Sequence, residues 1–293
     1  MFCSFLKREK NEMGLEDKFQ RMPETVKSKY KDYFEFIKNE QEWFLGNSIE
    51  ILKIENDGYI LNGYYLSQGK SKTAIIIHGY KSDALSEAGK VRFYFDMGYN
   101  IFLPDLRSHG KSQGKYIGMG CTDQDDIIKW LELIKSKEEN NCKILLVGFS
   151  MGGATALALS GNLHLPPNVF AIISHSAFTS LKELVNVIIK IRPHLVKKIL
   201  LLGLENWCIL ISKYGFSKNT PEQGISKSKI PIMIIHGKKD NFIPFYMAEK
   251  LFSICASEKE FWADENAGHD MIGWQERAIY QSKIKSFLGK YEN

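Results

Sequence analysis

The residues with the clearest chemical meaning lie at 148–152, Gly-Phe-Ser-Met-Gly, directly after an apolar run at 144–147. A small-residue segment that favours a helix follows at 153–159. A serine on a sharp turn between a buried strand and a helix is held in a strained conformation that exposes its hydroxyl. Glycines two residues away on either side are needed because Cβ atoms there would collide with neighbouring backbone. The pattern predicts that Ser150 is a nucleophile.

An alcohol needs a base to take its proton and a third group to orient that base. Downstream of Ser150, Asp240 lies on a turn after an apolar run, and His269 follows the last candidate strand. Both positions fall where the carboxyl edge of a sheet is expected. Asp264 is the alternative acid, and Asp270 is also close to the histidine in sequence. Closeness in sequence does not by itself bring a carboxylate to Nδ1 of the ring.

This combination resembles the α/β-hydrolase family over about residues 49–290. In that family the segment H-G-x-x-D-x-x-[IV]-P carries the acid, which corresponds to Asp240, and the order along the chain is serine, acid, histidine. A glycine-histidine segment carries the base, which corresponds to His269. The chain departs from the family pattern at Ala267, which replaces the residues more usual before that glycine.

The resemblance also implies where a tetrahedral oxyanion would be stabilised. One donor is the backbone N–H of Met151, the residue after the nucleophile. The second is the N–H of Tyr80, in a His-Gly-Tyr segment at 78–80 that resembles the family's H-G-x oxyanion segment. A loop at 104–112 resembles the family's D-x-R-G-x-G-x-S loop, in which Asp105 and Arg107 would hold the loop rather than do chemistry.

Short apolar runs alternate with helical patterns through most of the chain. Candidate strands are 74–78, 100–104, 143–148, 170–175, 232–236 and 260–263, and candidate helices are 86–97, 123–137, 151–161, 246–256 and 274–288. An Asp-Gly pair at 57–58 between alternating runs predicts a hairpin before them. Buried strands separated by helices indicate a parallel sheet covered on both faces. We therefore predict an α/β-hydrolase fold with a mostly parallel sheet of about eight strands.

Two regions fall outside this alternation. Residues 1–48 form a predicted N-terminal helical extension, which leaves 49–293 as the hydrolase domain. Between two strands, residues 177–228 form a long apolar insert, which we interpret as a helical lid over the active site because it joins the carboxyl ends of the sheet.

Composition excludes several other classes of protein. The 293 residues are 44% hydrophobic and 25% charged, with a net charge of +5 spread over scattered lysines, so we expect no nucleic-acid partner. Five widely spaced cysteines without a CxxC pair favour a reduced, cytoplasmic setting. We expect no stable membrane insertion, no metal and no cofactor, because no apolar stretch is long enough to span a bilayer and no ligand spacing or nucleotide motif is present.

The resemblance implies a serine carboxylesterase or lipase-like hydrolase that cleaves carboxylic or thioesters of small to medium apolar acyl groups through an acyl-enzyme. Two alternatives remain open. One is a peptidase or amidase of the prolyl-oligopeptidase type, although the propeller usual in those enzymes is absent. The other is a ligand-binding protein without catalysis on a hydrolase scaffold. The sequence indicates neither the oligomeric state nor the natural small-molecule ester.

Overall fold

One sheet of eight strands forms the centre of the computed structural model, which describes residues 6–8, 15–21, 23–138, 142–189, 194–212, 214–269 and 271–292. The strands are β1 (Glu50–Asn56), β2 (Tyr59–Leu66), β3 (Lys72–Ile77), β4 (Asn100–Pro104), β5 (Lys143–Phe149), β6 (Val169–His175), β7 (Ile232–Gly237) and β8 (Lys259–Asp264). Their order across the sheet is β1-β2-β4-β3-β5-β6-β7-β8. Strands β3 to β8 are parallel, whereas β2 pairs antiparallel with both β1 and β4. The predicted α/β-hydrolase fold is confirmed.

The first two strands form the hairpin that the Asp-Gly pair predicts. Asp57 and Gly58 have φ angles of 51° and 75°, and the strands pair from Asn56 opposite Tyr59 outwards. Two successive residues with positive φ make a turn whose twist matches that of the flanking strands.

Helices cover both faces of the sheet and extend beyond it at the N-terminus. They are α1 (Leu15–Gln20), α2 (Glu24–Leu45), α3 (Ala84–Glu87), α4 (Arg92–Asp96), α5 (Asp123–Lys137), α6 (Met151–Leu159), α7 (Leu181–Ile188), α8 (His194–Ser212), α9 (Pro221–Ile225), α10 (Tyr246–Ile254) and α11 (Arg277–Tyr291). Among the described residues, none of these helices is both long and apolar enough to cross a bilayer.

The helix predicted over 86–97 is interrupted, and the reason is tertiary packing. A short 3-10 turn, Ala88–Lys90, separates α3 from α4. At this turn a Cβ added to Gly89 would lie 2.7 Å from the carbonyl oxygen of Ile37. The chain here passes against the backbone of α2, and only glycine permits so close an approach.

The last helix begins later than predicted. It starts at Arg277 instead of residue 274, because Gly273 has a φ of 74° and the chain turns there before the helix can begin. Residues 271–276 are thereby left as a loop that follows His269.

Alternate residues along the central strands supply two apolar layers, one on each face of the sheet. In β3, Ile75 and Ile77 belong to one layer and Ile76 to the other, and all three are fully buried. Because parallel strands all end at the same edge, the segments after β5, β7 and β8 meet there. That edge carries the candidate site.

Candidate active site

Ser150, His269 and Asp240 form one hydrogen-bonded chain at the carboxyl edge of the sheet. The Ser150 Oγ lies 2.9 Å from His269 Nε2, and His269 Nδ1 lies 2.7 Å from Asp240 Oδ2. Since a carboxylate can only accept, Nδ1 carries the ring proton and Nε2 is left to accept the serine hydroxyl. The structure thus brings together three residues that the sequence separates widely.

The turn that carries Ser150 is strained and closely packed. Ser150 has a φ of 55° and a ψ of −114°, a backbone conformation that residues other than glycine rarely adopt. A Cβ on Gly152 would lie 2.1 Å from the carbonyl oxygen of Ile77, and one on Gly148 would lie 2.3 Å from the carbonyl oxygen of Gly152. The Ser150 N–H donates to the carbonyl of His175 at 2.8 Å, which holds the turn against β6.

Asp240 is held by donors on both of its oxygens. Its Oδ1 accepts the backbone N–H groups of Phe242 at 2.9 Å and Ile243 at 2.8 Å, and its Oδ2 faces His269 and, at 3.3 Å, His236. Burial alone would raise the pKa of Asp240. The hydrogen bonds from His236, His269 and Ile243 outweigh burial and leave that pKa below its ordinary value. Asp240 is therefore ionised at neutral pH.

The alternative acid, Asp264, has a different set of contacts. It is 1% exposed, and it accepts backbone N–H groups from Asn266 at 3.1 Å, Ala267 at 3.0 Å and Gly273 at 2.9 Å. Both of its oxygens therefore hold the loops on either side of the histidine. Asp270 lies outside the described residues.

The loop after β3 lies directly against the serine. A Cβ on Gly79 would be 3.4 Å from Ser150 Cβ. Buried His78 accepts the Leu106 N–H at Nε2 (2.9 Å), so its Nδ1 donates to the Gly79 carbonyl at 2.8 Å. Because the C=O and N–H of a peptide point in opposite directions, this bond turns the N–H of Tyr80 away from His78.

Met151 is the first residue of α6 and is 1% exposed. Its N–H is among the four at a helix start that lack an acceptor within the helix. The role of this N–H and of that of Tyr80 in binding an oxyanion stays a prediction.

The loop that resembles D-x-R-G-x-G-x-S is held by its own charged residues, as expected. Asp105 accepts the backbone N–H groups of Ala84 at 2.9 Å and Lys111 at 2.8 Å. Arg107 forms an ion pair with Asp126 at 2.6 Å. These contacts fix the backbone of the loop.

A cavity of about 660 Å³ opens beside Ser150 and His269. Its walls come from α2, from the loop after β3, from the 3-10 turn before α4 and from the segment that leads into α11. A volume of this size lies within the ordinary range for small-molecule sites, about 300–1,000 Å³.

The contribution of α2 to this cavity was not predicted. Tyr30, Tyr33, Phe34 and Ile37 all line it. Their spacing of three, four and seven residues marks one face of a helix, which is the signal that could have indicated a buried or ligand-facing stripe.

The insert at 177–228 contributes no residue to the described lining of the cavity. Within it, α8 exposes large apolar side chains to solvent, among them Leu195 at 69% and Leu210 at 77%. Residues 190–193 and 213 lie outside the described part of the chain. Its interpretation as a lid therefore stays a prediction.

Two further residues beside the elbow, His175 and Ser176, are buried. His175 stacks on Phe149 with ring centroids 4.4 Å apart, and its Nε2 lies 2.9 Å from the Tyr280 hydroxyl. Ser176 is 2% exposed and has a φ of 47°. Among the described residues its hydroxyl has no hydrogen-bond partner. Both residues line the cavity.

Burial and the nearby charge of Lys90 lower the pKa of His175 to about 3, from an ordinary value of 6.5. Between these values the unfolded chain binds a proton that the folded protein does not, so acid favours unfolding. We expect the free energy of unfolding to fall by up to about 1.4 kcal/mol per pH unit from this residue as pH drops below 6.5. Denaturant unfolding at pH 7, 6, 5 and 4 would measure it.

In that experiment His175→Gln should show a shallower fall with pH than the wild type, whatever its stability at pH 7. Ser174 is the matched control, because it is also buried but carries no group that titrates between pH 4 and 7, so Ser174→Ala should leave the slope unchanged. Equal slopes for the wild type and His175→Gln would contradict the prediction.

Within the described ranges, no group of three or more His, Cys, Asp or Glu side chains is arranged to hold a metal ion.

Comparisons with known proteins agree with this architecture. The family model described as serine aminopeptidase, S33, matches residues 69–209, a little under half of the chain. The uncharacterized protein YqkD of Bacillus subtilis is 28% identical over 232 residues, which are 79% of this chain and 76% of that protein. Lysophosphatidylserine lipase ABHD12 of Macaca fascicularis is 29% identical over 210 residues, which are 67% of this chain but only 50% of that protein.

Among solved structures, the Pyrococcus furiosus esterase Pf2001 superposes with a TM-score of 0.69 at 21% identity, covering 85% of this chain and 95% of that one. This likeness concerns the fold. Together with the eight-stranded sheet, it shows that the chain has the α/β-hydrolase fold, and the family model and the lipase show that the chain is similar to hydrolases.

Proposed function

We propose that the protein is a serine hydrolase that cleaves carboxylic or thioesters of small to medium, apolar acyl groups. The observation that carries the proposal is the chain of two hydrogen bonds, 2.9 Å and 2.7 Å long, from Ser150 through His269 to Asp240. A hydroxyl joined in this way to a neutral imidazole and an ionised carboxylate has an acceptor for its proton during attack.

In the proposed mechanism Ser150 Oγ attacks the ester carbonyl carbon while its proton passes to His269 Nε2. The N–H groups of Met151 and Tyr80 stabilise the resulting oxyanion. When the carbonyl re-forms, the alcohol or thiol leaves with the proton from the histidine, and the acyl group stays on the serine. Water, deprotonated by the same histidine, then releases the acid and regenerates the hydroxyl. Asp240 stabilises the imidazolium in both steps.

Charge in the cavity favours an ester over the peptide substrate of an aminopeptidase. The family description names a serine aminopeptidase, which makes a peptidase the second candidate. A free α-amino group would need an available carboxylate. In the described lining, Glu87 is paired with Lys90 at 2.7 Å and Glu40 with Arg92 at 3.5 Å. The names of an esterase and a lipase among similar proteins also support ester cleavage.

A series of p-nitrophenyl esters of increasing acyl length tests the proposal, with aminoacyl p-nitroanilides as the peptidase arm. We expect turnover of the esters and labelling of Ser150 by a fluorophosphonate, located by mass spectrometry. Turnover of the anilides alone would favour the peptidase. A labelled serine with no turnover of any ester would contradict the ester proposal, and an unlabelled serine would favour a ligand-binding protein without catalysis.

Two further points from the sequence are carried as proposals. The first is that the insert at 177–228 acts as a lid. The second is a cytoplasmic location, which rests on cysteine usage. Cys121, Cys142, Cys208 and Cys255 are buried, in agreement with a role in packing.

A further inference from the structure

The cavity beside Ser150 has a roof that comes from the N-terminal extension. Helix α2 lines the cavity with the stripe that contains Tyr30, Tyr33 and Phe34, and the loop that follows His269 lines it next to α2. The residues that would meet a substrate on this side therefore come from two segments far apart in sequence.

The carboxyl-terminal half of α2 is firmly anchored to the hydrolase domain. Ile37 is 5% exposed and Phe44 is fully buried in one of the apolar layers of the sheet. The Gln41 side-chain amide donates to the Leu85 carbonyl at 2.7 Å, and the close contact at Gly89 fixes the distance between backbones. The position of the roof is therefore set by packing, as expected of a cavity wall.

The amino-terminal half of α2 is held by aromatic contacts to the loop after His269. The Trp274 ring lies 5.2 Å from that of Tyr33, at 67°, and 5.3 Å from that of Phe36. The Arg277 guanidinium lies 4.0 Å from the centre of the Phe36 ring. Such edge and cation–π contacts join the two halves of the wall.

The lining of the cavity is aromatic rather than aliphatic. Eleven of the 29 described residues that line it are Phe, Tyr or Trp, whereas these types make up 12% of the chain, and the aliphatic ones among those 29 are Ile37 and Ile272. Aliphatic and aromatic ligands both gain from burial, but aromatic pairs gain about 0.5–1.5 kcal/mol beyond their buried area. A wall of rings therefore discriminates between an aromatic group and an alkyl group of the same size.

We propose that the roof formed by α2 and Trp274 is the acyl-binding wall, and that it selects esters whose acyl group carries an aromatic ring. The proposal deepens the ester-hydrolase function above and rests on it. Tyr33, Phe34 and Trp274 are then residues that determine specificity, in contact with the acyl group but not with the reacting atoms.

The sharpest comparison uses the ethyl esters of 3-phenylpropanoic and 3-cyclohexylpropanoic acids. The two differ only in the ring, and the cyclohexyl ester is the more hydrophobic. We expect a kcat/KM about 2- to 10-fold higher for the phenyl ester, measured by acid release with a pH indicator. Equal rates, or a preference for the cyclohexyl ester, would overturn the proposal. The small alcohol avoids placing a second aromatic ring in the cavity.

Two variants test where the preference arises. Tyr33→Leu and Trp274→Leu retain an apolar side chain but remove the ring, so each should bring the phenyl preference close to unity. Phe252→Leu is the matched control, because Phe252 packs on Phe261 with centroids 5.3 Å apart and is not among the described residues that line the cavity. Retention of the preference in both cavity variants, with melting temperatures near that of the wild type, would also overturn the proposal.

A binding measurement separates the proposal that the roof binds aromatic acyl groups from the proposal that the protein hydrolyses esters. Isothermal titration of Ser150→Ala with the two ethyl esters should give tighter binding of the phenyl ester by about the same factor. If the wild type hydrolyses simple esters but neither assay shows a phenyl preference, the roof proposal fails alone. If the preference appears in binding and no ester is hydrolysed, the proposed function fails alone.

Discussion

Replacing Ser150 by alanine is expected to lower kcat for esters by about 10⁴- to 10⁶-fold. In the proposed mechanism the hydroxyl oxygen forms the bond to the acyl carbon, and no other described nucleophile is hydrogen-bonded to His269. The rate that remains would come from binding and from the oxyanion donors. Single-turnover kinetics with a p-nitrophenyl ester measure the change, and intact-mass spectrometry should detect no acyl-enzyme.

The substitution should leave the fold intact, which makes the kinetic result interpretable. The backbone bonds that hold the turn, from Ser150 N–H to the His175 carbonyl and from Ala154 N–H to the Ser150 carbonyl, do not involve the side chain. Ser174 provides the matched control. This serine is fully buried, its hydroxyl has no hydrogen-bond partner in the described residues, and, unlike half-buried Ser150, it does not line the cavity. Ser174→Ala should therefore keep kcat within about threefold of the wild type, whereas a Ser150→Ala enzyme of similar activity would contradict the mechanism.

Much of the fold was predictable because its signals are local. Four consecutive apolar residues at Ile144–Val147 indicate a strand buried on both faces, and β5 covers them. The Asp57–Gly58 pair determines its own turn, since both residues accept positive φ. The interrupted helix near Gly89 was not predictable in this way, because its cause is a contact with Ile37, which lies in another part of the chain.

The same distinction between local signals and distant contacts applies to the candidate site. Ser150, Asp240 and His269 each follow a strand end, and parallel strands bring their ends to one edge, so the geometry follows from topology. The cavity wall does not follow from topology. Tyr33 meets Trp274 only because α2 packs against Gly89 and the loop after His269, and this packing depends on surfaces that the sequence pattern leaves undetermined. The aromatic stripe of α2 could have indicated a buried face, but not the residues that it contacts.

The exchange Asp240→Asn tests the assignment of the acid and is expected to lower kcat by about 10⁴-fold at neutral pH. Oδ1 accepts two backbone N–H groups, from Phe242 and Ile243. An asparagine would keep its carbonyl oxygen toward these donors, and its NH₂ group would then face His269 Nδ1. A donor at that position requires Nδ1 to be the acceptor, so the ring proton would move to Nε2. The histidine could then no longer accept the proton of Ser150.

Asp264→Asn is the matched control and should lower the stability of the fold while changing kcat little. One of its oxygens accepts the Gly273 N–H at 2.9 Å, so an amide leaves a backbone donor or its own NH₂ group unsatisfied in a buried loop. We expect a loss of about 1–3 kcal/mol in the free energy of unfolding, with a fall in kcat far smaller than that of Asp240→Asn. Stopped-flow kinetics and denaturant unfolding on both variants measure the two quantities. If Asp264 oriented His269, Asp264→Asn would lower kcat more than Asp240→Asn. The tautomer of His269 would then depend on the Asp264 carboxylate, and not on that of Asp240, whose Oδ2 lies 2.7 Å from Nδ1.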